Sequence, residues 1–212
     1  MNHLARAALA IVVCSLGAMP KERLVAERRD AYVRVLQSCG RKKACLMGPR
    51  ATSTVRSRWT ENQYDFVRVW IAPGEPTPLW RAADRFAARD AFHEWSTAGA
   101  PVHFVFVADS AHADVVVLWR DSLPDARAGQ VTRFTDQHGW LRSATIELST
   151  RSMSGKSQKS STVHAVALHE VGHLLGLEHS DDERDIMAAW VKSAQLTARD
   201  VSIMRALYDF GE

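Results

Sequence analysis

One segment constrains this 212-residue chain more than any other: residues 169–179 read H-E-x-x-H-x-x-G-x-x-H. On a helix, His169 and His173 lie one turn apart, so both imidazoles can reach one ion. Gly176 tolerates the left-handed conformation common just past a helix end, and this exit lets His179 swing back as a third ligand. Three protein nitrogens leave the fourth tetrahedral position for water, as in catalytic zinc sites. The segment therefore predicts one catalytic Zn²⁺ held by three histidines.

The carboxylate beside the first histidine has a predicted role of its own. Glu170 sits about 100° round the helix from His169, so it can bind a water at the metal without displacing a ligand. The ion lowers the pKa of that water to about 7 and polarises the scissile carbonyl. Glu170 then acts as general base, taking the water proton and passing it to the leaving amine. The predicted reaction is hydrolysis of a peptide bond.

These motifs resemble those of the metzincin zinc endopeptidases and, within that clan, the matrixins. The run Asp185-Ile186-Met187 follows the third histidine and is similar to the clan's methionine turn, which places a thioether beneath the metal. Ser180, directly after His179, is also matrixin-like. The chain departs from the family after Met187, where Ala188-Ala189-Trp190 replaces the usual proline and tyrosine. The wall of the primed-side specificity pocket is therefore expected to differ.

The resemblance implies a fold as well as an activity. It implies an α/β fold of the α+β type over residues 59–212: a metzincin-like zincin domain with a mixed, twisted five-stranded sheet, an active-site helix and a C-terminal helix. The implied activity is that of a zinc metalloendopeptidase acting on a protein or peptide substrate. The family's second, structural zinc is not predicted, because only His138 near Asp136 is available for it. Calcium is not evident either, and Asp114 is the one weak candidate ligand.

Hydrophobic periodicity predicts the elements of this domain. We expect the zinc helix to begin at an N-cap supplied by Ser161 or Thr162, and the final helix to begin at Thr197, with Asp200 favouring its first turn. An extended substrate should lie along the edge strand 129–135 by β-augmentation. The remaining predicted elements are strands over 65–72, 102–107, 113–119 and 140–148 and a helix over 79–97.

The N-terminus predicts export. Residues 1–19 resemble a secretory signal peptide, with Arg6 before an apolar stretch of 12 residues from Ala7 to Ala18. That stretch is too short to span a bilayer, so no stable membrane span is expected. The predicted location is secreted or periplasmic. A short membrane anchor and a lipid on Cys14 are alternatives.

Two cysteines, Cys39 and Cys45, remain once the signal is removed. An even count in an exported chain favours a disulfide between them. The alternative is a latency thiol that caps the zinc, because Ser38-Cys39-Gly40 keeps the Cys-Gly pair of the motif found in matrixin propeptides.

Charge divides the mature chain into two parts. Residues 20–58 form a basic helical segment and linker that could serve as a pro-segment; residues 21–58 hold 11 Lys/Arg and 3 Asp/Glu, a net charge of +8. Residues 59–212 hold 15 Lys/Arg and 21 Asp/Glu, a net charge of −6. The basic segment could simply be a solvated face, could dock on the acidic domain, or could bind an anionic surface. No nucleic acid is expected as partner, because aromatic residues do not interleave with the basic ones.

Other functions would use the same residues. The histidines could simply be hydrogen-bonded side chains of an amphipathic helix. The chain could be a zinc-containing binding module that has lost catalysis, although such a module would not need Glu170. It could also be a zinc amide hydrolase acting on cell-wall peptides, since the metal chemistry would be identical.

Overall fold

The computed structural model describes residues 58–59, 66–74, 77–136 and 140–208. The predictions made for the signal peptide, for the basic segment up to residue 57, for both cysteines and for His138 lie outside these ranges. Within them, no helix combines the length and apolar character needed to cross a membrane. Trp59, near the start of the described chain, is fully buried and forms a β-bridge with Leu141.

A five-stranded mixed sheet forms the framework. Its strands are β1 (Val67–Ile71), β2 (Phe104–Phe106), β3 (Val115–Arg120), β4 (Gly129–Thr135) and β5 (Leu141–Ser149). Their spatial order is β2-β1-β3-β5-β4, and every pair is parallel except β4 with β5. This arrangement confirms the predicted fold class, and it leaves β4 at one edge of the sheet and β2 at the other.

Three helices complete the domain: α1 (Ala82–Thr97), α2 (Ser160–Leu174) and α3 (Ala198–Tyr208). Alternate residues of β1, β3 and β5 are buried on one face, as the period of two requires, and they pack into one core with α1 and α2. The indole of Trp95 on α1 donates a hydrogen bond to the carbonyl of Leu168 on α2 at 2.8 Å. This bond fixes α1 against the helix that carries the histidine motif.

The predicted start of α2 was wrong. The helix begins at Ser160, and Lys159, which makes no side-chain capping bond, occupies the N-cap position instead of Ser161 or Thr162. The Ser160 hydroxyl bonds to Asp84 of α1, 3.1 Å away, so its partner comes from a distant part of the chain. By contrast, Thr197 is the cap of α3 as predicted, since its hydroxyl oxygen lies 3.1 Å from the backbone nitrogen of Asp200.

Several predicted boundaries shift inward. The first helix begins at Ala82 rather than residue 79, because Arg81 is extended and Asp84 bonds back to its amide at 3.0 Å. The strand predicted over 102–107 is paired only from Phe104 to Phe106.

Asp114, the calcium candidate, pairs both carboxylate oxygens with the Arg68 guanidinium at 2.8 and 2.9 Å. Its oxygens therefore join β1 to the start of β3.

Candidate metal centre

The end of α2 turns the chain back toward its own histidines. Gly176 has a φ of +93°, the left-handed region expected for it. The amide of Gly176 donates to the carbonyl of His173, and that of Leu177 donates to the carbonyl of Gly172, both at 3.0 Å. These two bonds satisfy carbonyls that the end of the helix would leave unpaired. The reversed chain brings His179 to the first two imidazoles.

The three predicted ligands meet at one point. One side-chain nitrogen from each of His169, His173 and His179 lies within 4.8 Å of the other two. The imidazole centroid of His169 lies 4.7 Å from that of His173 and 5.3 Å from that of His179, and the last two centroids are 4.8 Å apart. In the described part of the chain, no other group of three histidine, cysteine or carboxylate side chains is close enough to share an ion.

Hydrogen bonds to backbone carbonyls set the orientation of two rings. Nδ1 of His169 lies 2.7 Å from the carbonyl oxygen of Ile186, and Nδ1 of His173 lies 2.7 Å from that of Leu177. Since a carbonyl can only accept, each Nδ1 carries the proton and each Nε2 keeps a lone pair for a metal. Burial lowers the pKa of His169 to about 4, and it lowers the pKa of His173 well below its ordinary value. Both rings are neutral at pH 7, the state that a ligand needs, so this donor set fits a zinc ion.

Glu170 lies in a space that the first residue of β4 leaves open. A Cβ atom on Gly129 would lie 2.8 Å from Oε1 of Glu170 and 2.5 Å from a methyl carbon of Val166. Burial raises the pKa of Glu170 to about 8, while the Arg127 guanidinium opposes that rise. No described residue forms a hydrogen bond or ion pair with this carboxylate. It is therefore available to a polar group that enters the site.

Met187 forms a buried floor against α2. Its side chain is 1% exposed, and its sulfur would lie 2.3 Å from a Cβ atom placed on Gly172. Trp95 would lie 3.2 Å from the same Cβ atom on another side. The methionine thus fits into the space left by a glycine that lies between the two helical histidines in the sequence. The motif predicted Met187, but it gave no reason for Gly172.

Two buried carboxylates fix the turn around Met187. Asp200 of α3 is fully buried and accepts hydrogen bonds from the amides of Ile186 at 3.0 Å and Met187 at 3.4 Å. Asp185 accepts one from the hydroxyl of Ser180 at 2.5 Å, and the amide of Ser180 donates to the carbonyl of Met187 at 2.7 Å. These bonds join the segment after the third histidine to the floor beneath it. The sequence predicted Asp200 only as a helix-start residue and missed its role in the site.

Arg133 of β4 clamps the segment between the second and third histidines. Its guanidinium donates to the carbonyl of His173 at 3.1 Å and to the carboxylate of Glu178 at 3.2 Å. The ion pair is largely shielded, with side chains 18% and 26% exposed. Sequence analysis missed Arg133, because a single arginine in a strand carries no local sign of a partner so distant in sequence.

Arg133→Met should lower zinc affinity by about ten- to a hundredfold, the usual cost of losing a partner that holds a ligand in place. The methionine keeps the apolar stem but removes both bonds to the segment that carries His179. Zinc affinity would be measured by competition with a fluorescent chelator. Arg142→Met is the matched control, because Arg142 forms an exposed ion pair with Asp136, just past the end of β4. Equal zinc affinity in the two variants would contradict the assigned role.

Gly172→Ala should destabilise the folded domain by about 1–3 kcal/mol, the range for overfilling a packed core. The new methyl group would force the Met187 sulfur from its place, and Trp95 limits where it can go. Denaturant unfolding of the zinc-free protein measures the loss. The double variant Gly172→Ala, Met187→Ala should lose less stability than the two single changes added together. Strict additivity would show that the contact with Met187 is not the reason for the glycine.

Comparison with known proteins agrees with this geometry. A model of the matrixin family matches residues 58–209. The chain is 33% identical over 133 residues to Metalloendoproteinase 1-MMP of Arabidopsis thaliana, a match covering 57% of this chain and 36% of that protein. It is 51% identical over 45 residues to Probable matrix metalloproteinase 095L of Invertebrate iridescent virus 3, a match covering 20% of this chain and 12% of that protein. The chain thus spans little more than a third of the first relative and about an eighth of the second. Because the family model covers most of its length, the chain belongs to the matrixin family.

Proposed function

We propose that this chain is a zinc-dependent endopeptidase that cleaves peptide bonds within a protein or peptide substrate. The observation that carries the proposal is the juxtaposition of two kinds of group in one site, which runs from the buried His169 to the exposed His179. Three imidazoles that can share an ion lie beside Glu170, a buried carboxylate without a described partner. Both relatives are named as metalloproteinases, which supports the same activity here.

Each group in this site has a distinct task in the proposed reaction. His169, His173 and His179 would hold a zinc ion, which when bound supplies Lewis acidity to a water and to the scissile carbonyl. Glu170, whose ionised form a zinc ion bound nearby would favour against the effect of burial, would accept the proton of the attacking water and deliver it to the leaving amine. The space above Gly129, which has no side chain, lets the carboxylate reach the incoming water. Arg133 and the turn around Met187 keep the imidazoles in position.

We expect the substrate backbone to bind along the open edge of β4. The carbonyl of Ala128 accepts a hydrogen bond from the amide of Ser149 at 2.8 Å. Because hydrogen-bonded residues alternate along an antiparallel strand, residues 130 and 132 also bond to β5. Gly129, Val131 and Arg133 then direct their amides and carbonyls toward the open edge. Because Gly129 lies against Glu170, a peptide paired along this edge would pass the catalytic carboxylate.

We also propose that the protein is exported and acts outside the cytoplasm, in a secreted or periplasmic form. The proposal rests on the signal-like residues 1–19. The basic residues 20–58 would follow as a segment able to inhibit the acidic domain. N-terminal sequencing of material collected outside the cytoplasm should then find a chain that begins near residue 20. A mature chain that still carries residues 1–19 would contradict the signal peptide.

Digestion of a peptide library, with and without a chelator, tests the activity directly. The zinc-loaded protein should cleave internal peptide bonds, and the chelator should abolish cleavage. An intact library with folded, zinc-loaded protein would instead favour a non-catalytic binding module, and cleavage confined to cell-wall peptides would favour the amide hydrolase. Two chains, starting near residues 20 and 59, should be compared, because higher activity of the shorter one would identify residues 20–58 as inhibitory.

A further inference from the structure

The sheet edge opposite β4 carries a surface that the proposed hydrolysis does not use. A cavity of about 120 Å³ opens there between α1 and the ends of β1 and β2. Its lining, called here the β2-edge pocket, is Ile71, Arg85, Phe86, Arg89, Phe106 and Val107. We propose that this pocket binds an extended acidic segment of a partner protein, with one apolar side chain in the cavity and carboxylates on the two arginines.

The two arginines of the pocket have no carboxylate partner. Arg85 and Arg89 lie one turn apart on α1, and neither makes a hydrogen bond or an ion pair with a described residue. The acidic neighbour on the helix, Asp90, bonds to neither. Most other exposed arginines among the described residues form an ion pair with a carboxylate, as Arg68 does with Asp114. Since like charges one turn apart on a helix repel each other, a bound carboxylate would relieve a standing repulsion.

The apolar part of the pocket is exposed and ready for contact. Phe86 is 66% exposed, although most large apolar side chains of the domain are buried. The Phe106 ring lies under the Arg89 guanidinium, whose central carbon is 4.5 Å from the ring centroid. The ring of Phe92, in the core, packs edge to face against that of Phe106, with the two centroids 5.8 Å apart. An engineered cavity only slightly larger, of about 150 Å³, binds benzene, so this space suits one aliphatic or aromatic side chain.

The open strand beside the cavity explains why the partner should be extended. Val67 donates to the carbonyl of His103, and Val107 donates to that of Val69, both at 2.9 Å. Alternate residues of β2 therefore pair with β1, and Phe104 and Phe106 direct their amides and carbonyls outward. In the described part of the chain, β2 has no second strand neighbour. A partner strand added here would present alternate side chains to the cavity.

Charge selects the occupant. The chain's own residues 21–58 carry a net charge of +8, so the two arginines would repel them. Residues 59–212 carry a net charge of −6, which makes the arginine pair a local positive site on an acidic domain. The pocket also lies four strand spacings from β4, about 19 Å across the sheet. Binding at the β2-edge pocket should therefore need neither zinc nor Glu170.

Fluorescence anisotropy with a labelled Glu-Leu-Glu-Leu-Glu peptide tests the proposal. The full chain carries Glu170→Gln so that the probe survives, and Lys-Leu-Lys-Leu-Lys serves as the charge-reversed peptide. The acidic peptide should bind, and the basic one should not. Arg85→Glu with Arg89→Glu should weaken binding at least about tenfold. Phe86→Ala should weaken it about threefold or more, since apolar contact is lost.

Controls separate the pocket from general charge and from the histidine site. Lys156→Glu with Lys159→Glu makes the same change in net charge outside the pocket and should leave affinity within about twofold. Because the side chains replaced at the pocket and at the two control lysines are exposed, melting temperatures equal to that of the Glu170→Gln protein should show that the variants fold. Hydrogen exchange at the amides of Phe104 and Phe106 should slow when the acidic peptide binds.

Four outcomes would overturn the proposal. The first is no binding of the acidic peptide, and the second is binding that the arginine variant leaves unchanged. The third is displacement of the peptide from the zinc-loaded protein by a zinc-chelating hydroxamate, because the probe would then occupy the proposed catalytic cleft. The fourth is binding of phosphatidylserine vesicles without peptide binding, which would assign the surface to a membrane. None of these results would contradict the proposed peptidase activity.

Discussion

Glu170→Gln is expected to lower the rate constant for peptide hydrolysis by about 10²–10⁴-fold, the contribution typical of a general base. Glutamine matches glutamate in size but lacks the carboxylate that would accept the water proton. The three imidazoles do not depend on Glu170 for their hydrogen bonds, since His169 and His173 bond to backbone carbonyls. The variant should therefore keep its zinc. Turnover of a quenched peptide and zinc content by elemental analysis would be measured on the same material.

The form of the loss distinguishes a chemical role from a structural one. Loss of a general base should lower kcat and leave KM nearly unchanged, because the substrate still binds along β4. Glu183→Gln, a change at an exposed residue that pairs with Lys192, is the matched control and should be fully active. Unchanged turnover in the Glu170 variant would remove this residue from the mechanism. Loss of zinc together with activity would show instead that Glu170 supports the site.

The parts of the site that follow from local spacing could be predicted from the sequence. His169 and His173 meet because one helical turn separates them, and Gly176 ends the helix because its φ must be positive. Both statements depend only on neighbours within one or two turns of the chain. The fold class followed from the same motif by its resemblance to the metzincins, and Thr197 was predictable as a cap because its partner, Asp200, lies three residues away.

The residues that support the site could not be predicted in this way, because their partners are distant in sequence. Gly129 is needed where β4 passes Glu170, and Arg133 is needed where the same strand passes His173. Asp200 illustrates the limit most clearly. An acidic residue in the first turn of a helix is common, and nothing nearby indicates that its carboxylate bonds to the amides of the turn around Met187. Such roles depend on how the elements pack.

The misplaced start of α2 has the same origin. Ser161 and Thr162 are good N-cap residues by type, and either could have accepted the free amides of the first turn. The helix starts earlier because Ser160 finds a partner in Asp84, which also bonds to Arg81 at the start of α1. One carboxylate thus joins the beginnings of two helices. A tertiary contact of this kind outweighs the modest free energy of a side-chain cap.

His179→Ala is expected to weaken zinc binding by more than about a hundredfold, because losing a ligand should cost more than losing a partner that merely orients one. His169 and His173 would remain on α2, but two imidazoles cannot complete the three-ligand set of a catalytic site. Peptide hydrolysis should fall in parallel with zinc occupancy. The measurements are competition with a fluorescent chelator and elemental analysis after dialysis.

The control for this prediction is His112→Ala, because that side chain is 72% exposed and belongs to a short turn near β3, outside the group of three. It should retain full zinc and full activity. The fold should survive in both variants, since Ser180, Asp185 and Asp200 fix the turn around Met187 without His179. Full zinc occupancy of the His179 variant after dialysis would mean that the third ligand lies elsewhere in the chain. Activity restored by high zinc concentrations would instead show that His179 contributes affinity and that the remaining two histidines with Glu170 carry the chemistry.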